Sequence, residues 1–290
     1  MYAITGITGN VGGAMARALL AAGKSVRAVV RDAGKGRAWA DRGCEIVLAG
    51  MEDAVALAAA FAGVEGVFIL PPPEFDPSPG FPEGRAVIAA VKRALEISTP
   101  KKVVCLSTIG AQASQPNLLS LRTLLEQALR ELPMPVTFLR PAWFMENFAW
   151  DLQAARDRGV ISSFLQPLDK PVPVIATADV GRVAADLIQQ DWTGTRVVEL
   201  EAARRVSPRA VGSAFARLLG RSVAVEAVPR ETWDALFRSQ GMKNPEPRIR
   251  MLDGFNEGWI SFEGGQGGSL KGSVTLDEVL ATAEARASLS

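Results

Sequence analysis

The feature that most constrains this chain is its first turn. A short apolar run over residues 2–5 leads into Thr5-Gly6-Ile7-Thr8-Gly9-Asn10-Val11-Gly12 and then into an alanine-rich helical stretch. Glycines at these three spacings suit a strand-to-helix turn that holds a dinucleotide. Gly6 permits the tight bend, Gly9 lets main-chain N–H groups approach a pyrophosphate, and Gly12 lets the helix lie against the strand. The helix amino terminus adds unsatisfied amides and the positive end of its dipole. Thr8, Asn10 and Val11 share the turn and are expected to touch the nucleotide. A glycine motif alone says little, but this one stands between a strand and a helix at the head of a βαβ series, the context it requires.

In that series, short β-branched or apolar runs alternate with helical patterns through the first half of the chain. Strands are expected at 2–5, 25–30, 45–48, 66–70, 102–107 and 136–139, and helices at 10–22, 34–42, 53–62, 82–95 and 117–131. The reading is α/β: a doubly wound parallel Rossmann sheet with a smaller α+β C-terminal cap domain. Right-handed crossovers put the carboxyl ends of the strands on one edge, where a ligand binds at the switch point. Residues 1–150 are assigned to the nucleotide-binding domain, with a later contribution from 172–200, and residues 151–290 mostly to the cap carrying the substrate. Beyond Met145, Pro167, Pro171 and Pro173 break the periodicity before a helix at 179–190 and a strand at 196–200. Segments 207–219 and 229–240 read as helices, and 264–272 as a glycine-rich mobile loop or turn. Asp53 and Asp179 precede helical patterns and read as N-caps.

The second predicted strand ends Val29-Val30-Arg31-Asp32. An acidic residue there accepts the ribose hydroxyls of NAD, whereas an arginine suits a 2′-phosphate. Arg31 holds that place, with Lys35 or Arg37 as a second cation and Asp32 as the competing ribose ligand. The expected cofactor is therefore NADP(H) in preference to NAD(H).

Composition excludes several classes. With 48% hydrophobic residues over 290, a sizeable core is expected. A net charge of +1 with scattered Lys and Arg leaves no footprint for a nucleic-acid backbone. No apolar run reaches bilayer length and no basic leader opens the chain, so the expectation is a cytoplasmic protein without a membrane partner. Cys44 and Cys105 fall at a strand start and a strand end and read as buried fillers. There is no histidine, which rules out histidine triads and histidine zinc sites; no metal site is expected. The single tyrosine, Tyr2, lies in the first strand, where it packs against neighbouring elements.

Longer stretches carry a resemblance. They are the Thr5–Gly12 turn, Gly50 and Asp53, Val67-Phe68-Ile69-Leu70-Pro71-Pro72, Ser107, and above all Thr137-Phe138-Leu139-Arg140-Pro141-Ala142-Trp143-Phe144-Met145-Glu146-Asn147. Val174-Ile175-Ala176-Thr177-Ala178-Asp179-Val180 and Thr275-Leu276-Asp277-Glu278-Val279 extend the match over nearly the whole chain. The sequence resembles the NmrA-like family of atypical short-chain dehydrogenases/reductases, which includes NADPH-dependent quinone and azo-dye reductases and redox-sensing regulators without activity. The resemblance implies that Gly50 and Met51 lie by the adenine, although aspartate is common where Met51 stands. It places the Leu70-Pro71-Pro72-Pro73 corner under the ribose and nicotinamide, with Pro141, Trp143 and Phe144 beside the ring. A rigid loop exit is an equally good reading of the prolines. Ser107 and Thr108 bond the nicotinamide or substrate, or serve as turn hydroxyls.

One departure from the family bears on chemistry. Catalytic members of the wider superfamily use a tyrosine with a lysine four residues later, and some atypical reductases keep the lysine alone. Here the helix reads Leu121-Arg122-Thr123-Leu124-Leu125-Glu126, with Arg122 in the lysine's place. Arginine stays protonated, so Arg122 can orient a ribose or polarise an oxygen but donates protons poorly. The alternative is a solvent-facing ion pair with Glu126.

Reducing an isolated ketone makes an alkoxide that needs a nearby acid, and no tyrosine or histidine is placed to be one. A quinone differs, because its reduction gives a resonance-stabilised phenolate that water protonates. The expected function is an NADPH-dependent oxidoreductase acting on a small quinone-like or azo-aromatic acceptor, with Arg122, Ser107 and Asn147 as candidate catalytic residues. Phe144, Met145, Phe148, Trp233 and Phe237, with Met242, are the expected apolar wall, and core packing is the competing role for each. Glu146 follows the sixth strand near the presumed pocket. The alternatives are a catalytically silent NADP(H)-sensing regulator that binds a protein partner, and a biosynthetic accessory reductase or isomerase. A homodimer is compatible with either.

Overall fold

The computed structural model describes residues 1–265 and 267–287. Its first half alternates strand and helix: β1 (Tyr2–Thr5), α1 (Asn10–Ala21), β2 (Val26–Val30), α2 (Ala33–Ala40), β3 (Glu45–Leu48), α3 (Ala54–Phe61), β4 (Gly66–Ile69), α4 (Pro82–Ser98), β5 (Lys102–Leu106), α5 (Ser120–Leu129) and β6 (Val136–Pro141). A two-residue strand β7 (Trp143–Phe144) follows, then a 3₁₀ helix over Met145–Asp151, α6 (Leu152–Arg158), β8 (Val160–Ser163), β9 (Val174–Ile175) and α7 (Thr177–Gln189). The chain continues through β10 (Thr195–Ala202), α8 (Pro208–Leu219), β11 (Ala224–Ala227), α9 (Trp233–Ser239), α10 (Glu246–Glu257), β12 (Leu270–Gly272) and α11 (Leu276–Ala287).

Eight strands form one sheet in the order β12-β10-β6-β5-β4-β1-β2-β3, and every pairing in it is parallel. The central strands β1, β4, β5 and β6 are buried along their whole length, as strands covered on both faces must be. Alternate side chains go to opposite faces. Ile4, Phe68, Val104 and Leu139 join the core under α1 and α7, while Ala3, Val67, Ile69, Val103, Cys105 and Phe138 join the core under α3, α4 and α5. Strand order reverses at β1 and β4, so the switch point lies at Thr5 and Ile69. Among the described residues, no helix is long and apolar enough to cross a membrane.

Beyond β6 the sheet gains two strands. β10 pairs with β6 and β12 with β10, which corrects the expectation of a loop throughout 264–272: the last three residues of that stretch are a strand. Asp179 is also corrected. Helix α7 begins two residues earlier, at Thr177, and the buried Asp179 carboxylate accepts hydrogen bonds from the Val274 amide (2.8 Å) and the Ser273 hydroxyl (3.3 Å). It fastens the turn after β12 to α7 and caps nothing. Asp53 does cap α3, accepting from the Val55 and Ala56 amides. Outside the main sheet, β8 pairs with β11 and β7 with β9, and a satellite core gathers Trp233, Phe237, Ile249 and Leu252.

Candidate functional site

The glycine turn is built on close approach. Gly6 has φ +66°, and a Cβ there would lie 2.8 Å from Leu70 Cδ2. A Cβ on Gly12 would lie 2.3 Å from the Gly6 carbonyl oxygen, so only glycine lets α1 rest on the turn. Gly9 is the N-cap of α1 and no side chain caps that helix. Its first-turn amides therefore face outward as donors. Thr5, which sequence reasoning left out of the site, holds the switch point together: its hydroxyl donates to the Phe68 carbonyl (3.1 Å) and accepts from the Leu70 amide (2.8 Å). This cradle fits a diphosphate.

A recess of about 250 Å³ opens beside it, lined by Thr8, Val30, Arg31, Asp32 and Lys35. The Asp32 carboxylate is taken up as the cap of α2, accepting from the Gly34 amide at 2.7 Å. Among the described residues neither Arg31 nor Lys35 has an ion-pair partner, so the recess presents two free cations. Gly50 and Met51 border neither this recess nor the larger cavity; Met51 turns into the core beneath α3.

The larger cavity, about 810 Å³, starts at Asn10 and Val11 and runs past Leu70, Pro71, Ser107 and Pro141 to Trp143 and Phe144. Phe148, Phe164, Met251 and Phe255 continue an apolar wall, with Phe75 and Trp150 exposed among the lining residues. Trp143 and Phe255 meet edge to face with centroids 5.1 Å apart. Four expected wall residues are corrected. Met145 is 2% exposed and belongs to the main core, while Trp233 and Phe237 are fully buried behind Phe164 in the satellite core, against which Met242 also packs. Pro72 is exposed and off the wall that its neighbours Pro71 and Pro73 form.

Arg122 lines the cavity, and the alternative reading of it as a solvent-facing ion pair with Glu126 is not met. Its Nη2 donates to the Pro71 carbonyl (3.2 Å), its Nη1 is buried without a partner, and burial pushes its titration down. Glu126 instead faces Arg140, which grips it through Nε and Nη2 at 2.7 Å each, and it also accepts from Ser107 Oγ (2.5 Å) and Arg130 (3.0 Å). Burial pushes the Glu126 carboxyl up, but these hydrogen bonds, led by that from Arg140, outweigh it and hold it below its ordinary range. With its proton committed to Glu126, Ser107 offers the cavity lone pairs only. Asn147 lines the cavity with no hydrogen bond to the described protein, whereas Glu146 is turned away to accept from the Thr177 amide and hydroxyl. Thr108 also lies on the wall.

Three charged residues line this cavity: Arg122, Asp151 and Arg248, and the last two escaped sequence reasoning. Burial raises the Asp151 carboxyl to about 6. Cys105 is pushed up to about 12 by burial and is inert, as its reading as a filler requires. Tyr2 is buried in β1 away from the cavity. Among the described residues no group of three or more His, Cys, Asp or Glu is placed to hold a metal.

The model of the NmrA-like family matches residues 2–256. The chain is 28% identical over 260 residues to an NAD(P)H azoreductase of Xenophilus azovorans, covering 89% of this chain and 85% of that protein. It is 26% identical over 282 residues to quinone oxidoreductase 2 of Escherichia coli (strain K12), covering 97% and 93%. In fold it is similar to the triphenylmethane reductase of Citrobacter sp. solved with NADP(H), at a TM-score of 0.80 and 22% identity over 97% of this chain and 99% of that one.

Proposed function

The chain belongs to the NmrA-like family, and on that premise we propose that it is an NADPH-dependent reductase of flat, electron-poor aromatic acceptors, quinone-like or azo, that works without a catalytic tyrosine. The observation that carries this reading is the open apolar cavity of about 810 Å³ that begins at the amino terminus of α1 and ends against Trp143, Phe148 and Phe255. A silent nucleotide sensor has no need of such a space.

The cofactor's place follows from the cradle. The first-turn amides of α1 take the diphosphate, and Arg31 and Lys35 take a 2′-phosphate in the small recess, where Asp32 is already engaged as a cap. Leu70, Pro71, Pro141, Trp143 and Phe144 border the nicotinamide end. When bound, the nicotinamide supplies the hydride.

The chain's own residues orient and stabilise. The apolar walls hold the acceptor flat and keep water out, which is catalysis by positioning. Arg122 has no carboxylate partner among the described residues, so its fixed charge favours negative charge developing on the acceptor. The unbonded Asn147 amide can donate to an acceptor oxygen, and Ser107 can accept. Purified protein given NADPH and a panel of quinones and azo dyes should consume NADPH faster than the uncatalysed reaction. A flat absorbance trace with every acceptor would refute the assignment.

A further inference from the structure

Helix α10 presents four residues to the cavity, Arg248, Met251, Leu252 and Phe255, at the i, i+3, i+4, i+7 spacing of one helix face. Three are apolar; the fourth is a guanidinium. Arg248 lies over the Phe237 ring at 4.3 Å, its Nη1 is 3.7 Å from Met242 Sδ, and among the described residues no carboxylate is within ion-pairing distance of it. Acids are not lacking nearby. Arg230 and Arg250 share Asp253, and Arg238 bonds Asp234, so these acids are already engaged elsewhere. Burial lowers the titration of Arg248, and no neighbouring charge acts against it.

A half-buried cation without a counter-ion is costly unless a ligand supplies the missing charge. The rest of the cavity does not supply it. Arg122 is a second unpaired guanidinium, and Asp151, the one acid among the described lining residues, makes no ion pair with Arg248. Position matters as well. Arg248 stands seven residues before Phe255, roughly 10 Å along the helix, and Phe255 closes on Trp143. The segment ahead of α10 is tied down by Asp76, which accepts from the Lys243 and Asn244 amides at 2.8 Å each, so the start of the helix that carries Arg248 is anchored.

We propose that the acceptor is an anion, a flat aromatic molecule that rests by Trp143 and Phe255 and carries a carboxylate or sulfonate bound by Arg248. This deepens the reductase reading above and rests on it. The test compares 1,2-naphthoquinone with its 4-sulfonate in the wild type, Arg248→Met and Arg248→Lys, all first shown to be folded by circular dichroism. The wild type should show a lower KM for the sulfonate. In Arg248→Met the ratio of the two KM values should change by about ten- to hundredfold toward the neutral quinone, the effect of losing a charge-assisted hydrogen bond, and Arg248→Lys should recover much of it. A ratio unchanged by Arg248→Met overturns the proposal while leaving the reductase reading in place. If neither quinone turns over, the reductase reading is left to the wider acceptor panel above, and the anion site is judged by quenching of tryptophan fluorescence. Binding of 2-naphthalenesulfonate at least tenfold tighter than 2-naphthol, lost in Arg248→Met, supports it; equal binding overturns it.

Discussion

Asp151 stands on the wall of an apolar cavity, and burial moves its titration from 3.8 to about 6. The folded chain thus keeps a proton that the unfolded chain releases between about pH 4 and 6, and stability falls as pH rises through that window. Above it the cost is complete, on the order of 1–2 kcal/mol once screening at the cavity's open side is allowed for. Asp151→Asn should therefore raise the Tm by a few degrees at about pH 7.5 and leave it nearly unchanged at about pH 4; equal shifts at both would remove the argument. Arg31 is a second residue with a clean consequence. With Asp32 engaged by the Gly34 amide, Arg31→Ala should lower the ratio of NADPH to NADH affinity by about ten- to hundredfold in a titration followed by fluorescence. Arg31 could be named and assigned a task from the sequence, because its place at a strand end is local; Asp151 could not. The environment of Asp151 comes from residues far along the chain.

Among elements, the contact between α1 and α7 governs the nucleotide cradle. A Cβ on Gly181 would lie 2.5 Å from Ala14 Cβ and 2.6 Å from the Val11 carbonyl oxygen, so α7 touches the backbone of α1 within its first turns. Gly181→Ala should cost about 2–3 kcal/mol in urea unfolding, as overpacking does, and weaken nucleotide binding because α1 must move away from the diphosphate. A loss of stability with unchanged NADPH affinity would show that the cradle is insulated from α7. Alternation of strand and helix was legible up to β6 because each βα unit carries its own period and its own turn. Helices α6, α10 and α11 were not, and their short, mixed patterns explain this: α10 opens Glu-Pro-Arg and has its apolar stripe interrupted by Arg248. Strand β12 hid inside a glycine-rich segment, since its three residues become a strand by pairing with β10.

For the whole molecule, a ligand that binds only the folded chain stabilises it by mass action. NADPH at a hundred times its Kd should add about 2.7 kcal/mol, raising the Tm by about 5 °C or more in a thermal melt, and NADH at the same concentration should add less. No shift with either coenzyme would remove the basis of the site. The glycine turn, the parallel α/β sheet, the cation beside the recess and the presence of a single tyrosine, Tyr2, were all written in the sequence by itself, because each depends on near neighbours or on composition. Which aromatic residues wall the cavity was decided by the tertiary structure: Trp233 and Phe237 pack behind Phe164, and Phe255 takes a place on the wall. The grip of Arg140 on Glu126 and the isolation of Arg248 were decided there too. The physical reason is that apolar side chains look alike whether they fill a core or line a void, and a charge is paired or unpaired according to partners brought from distant parts of the chain.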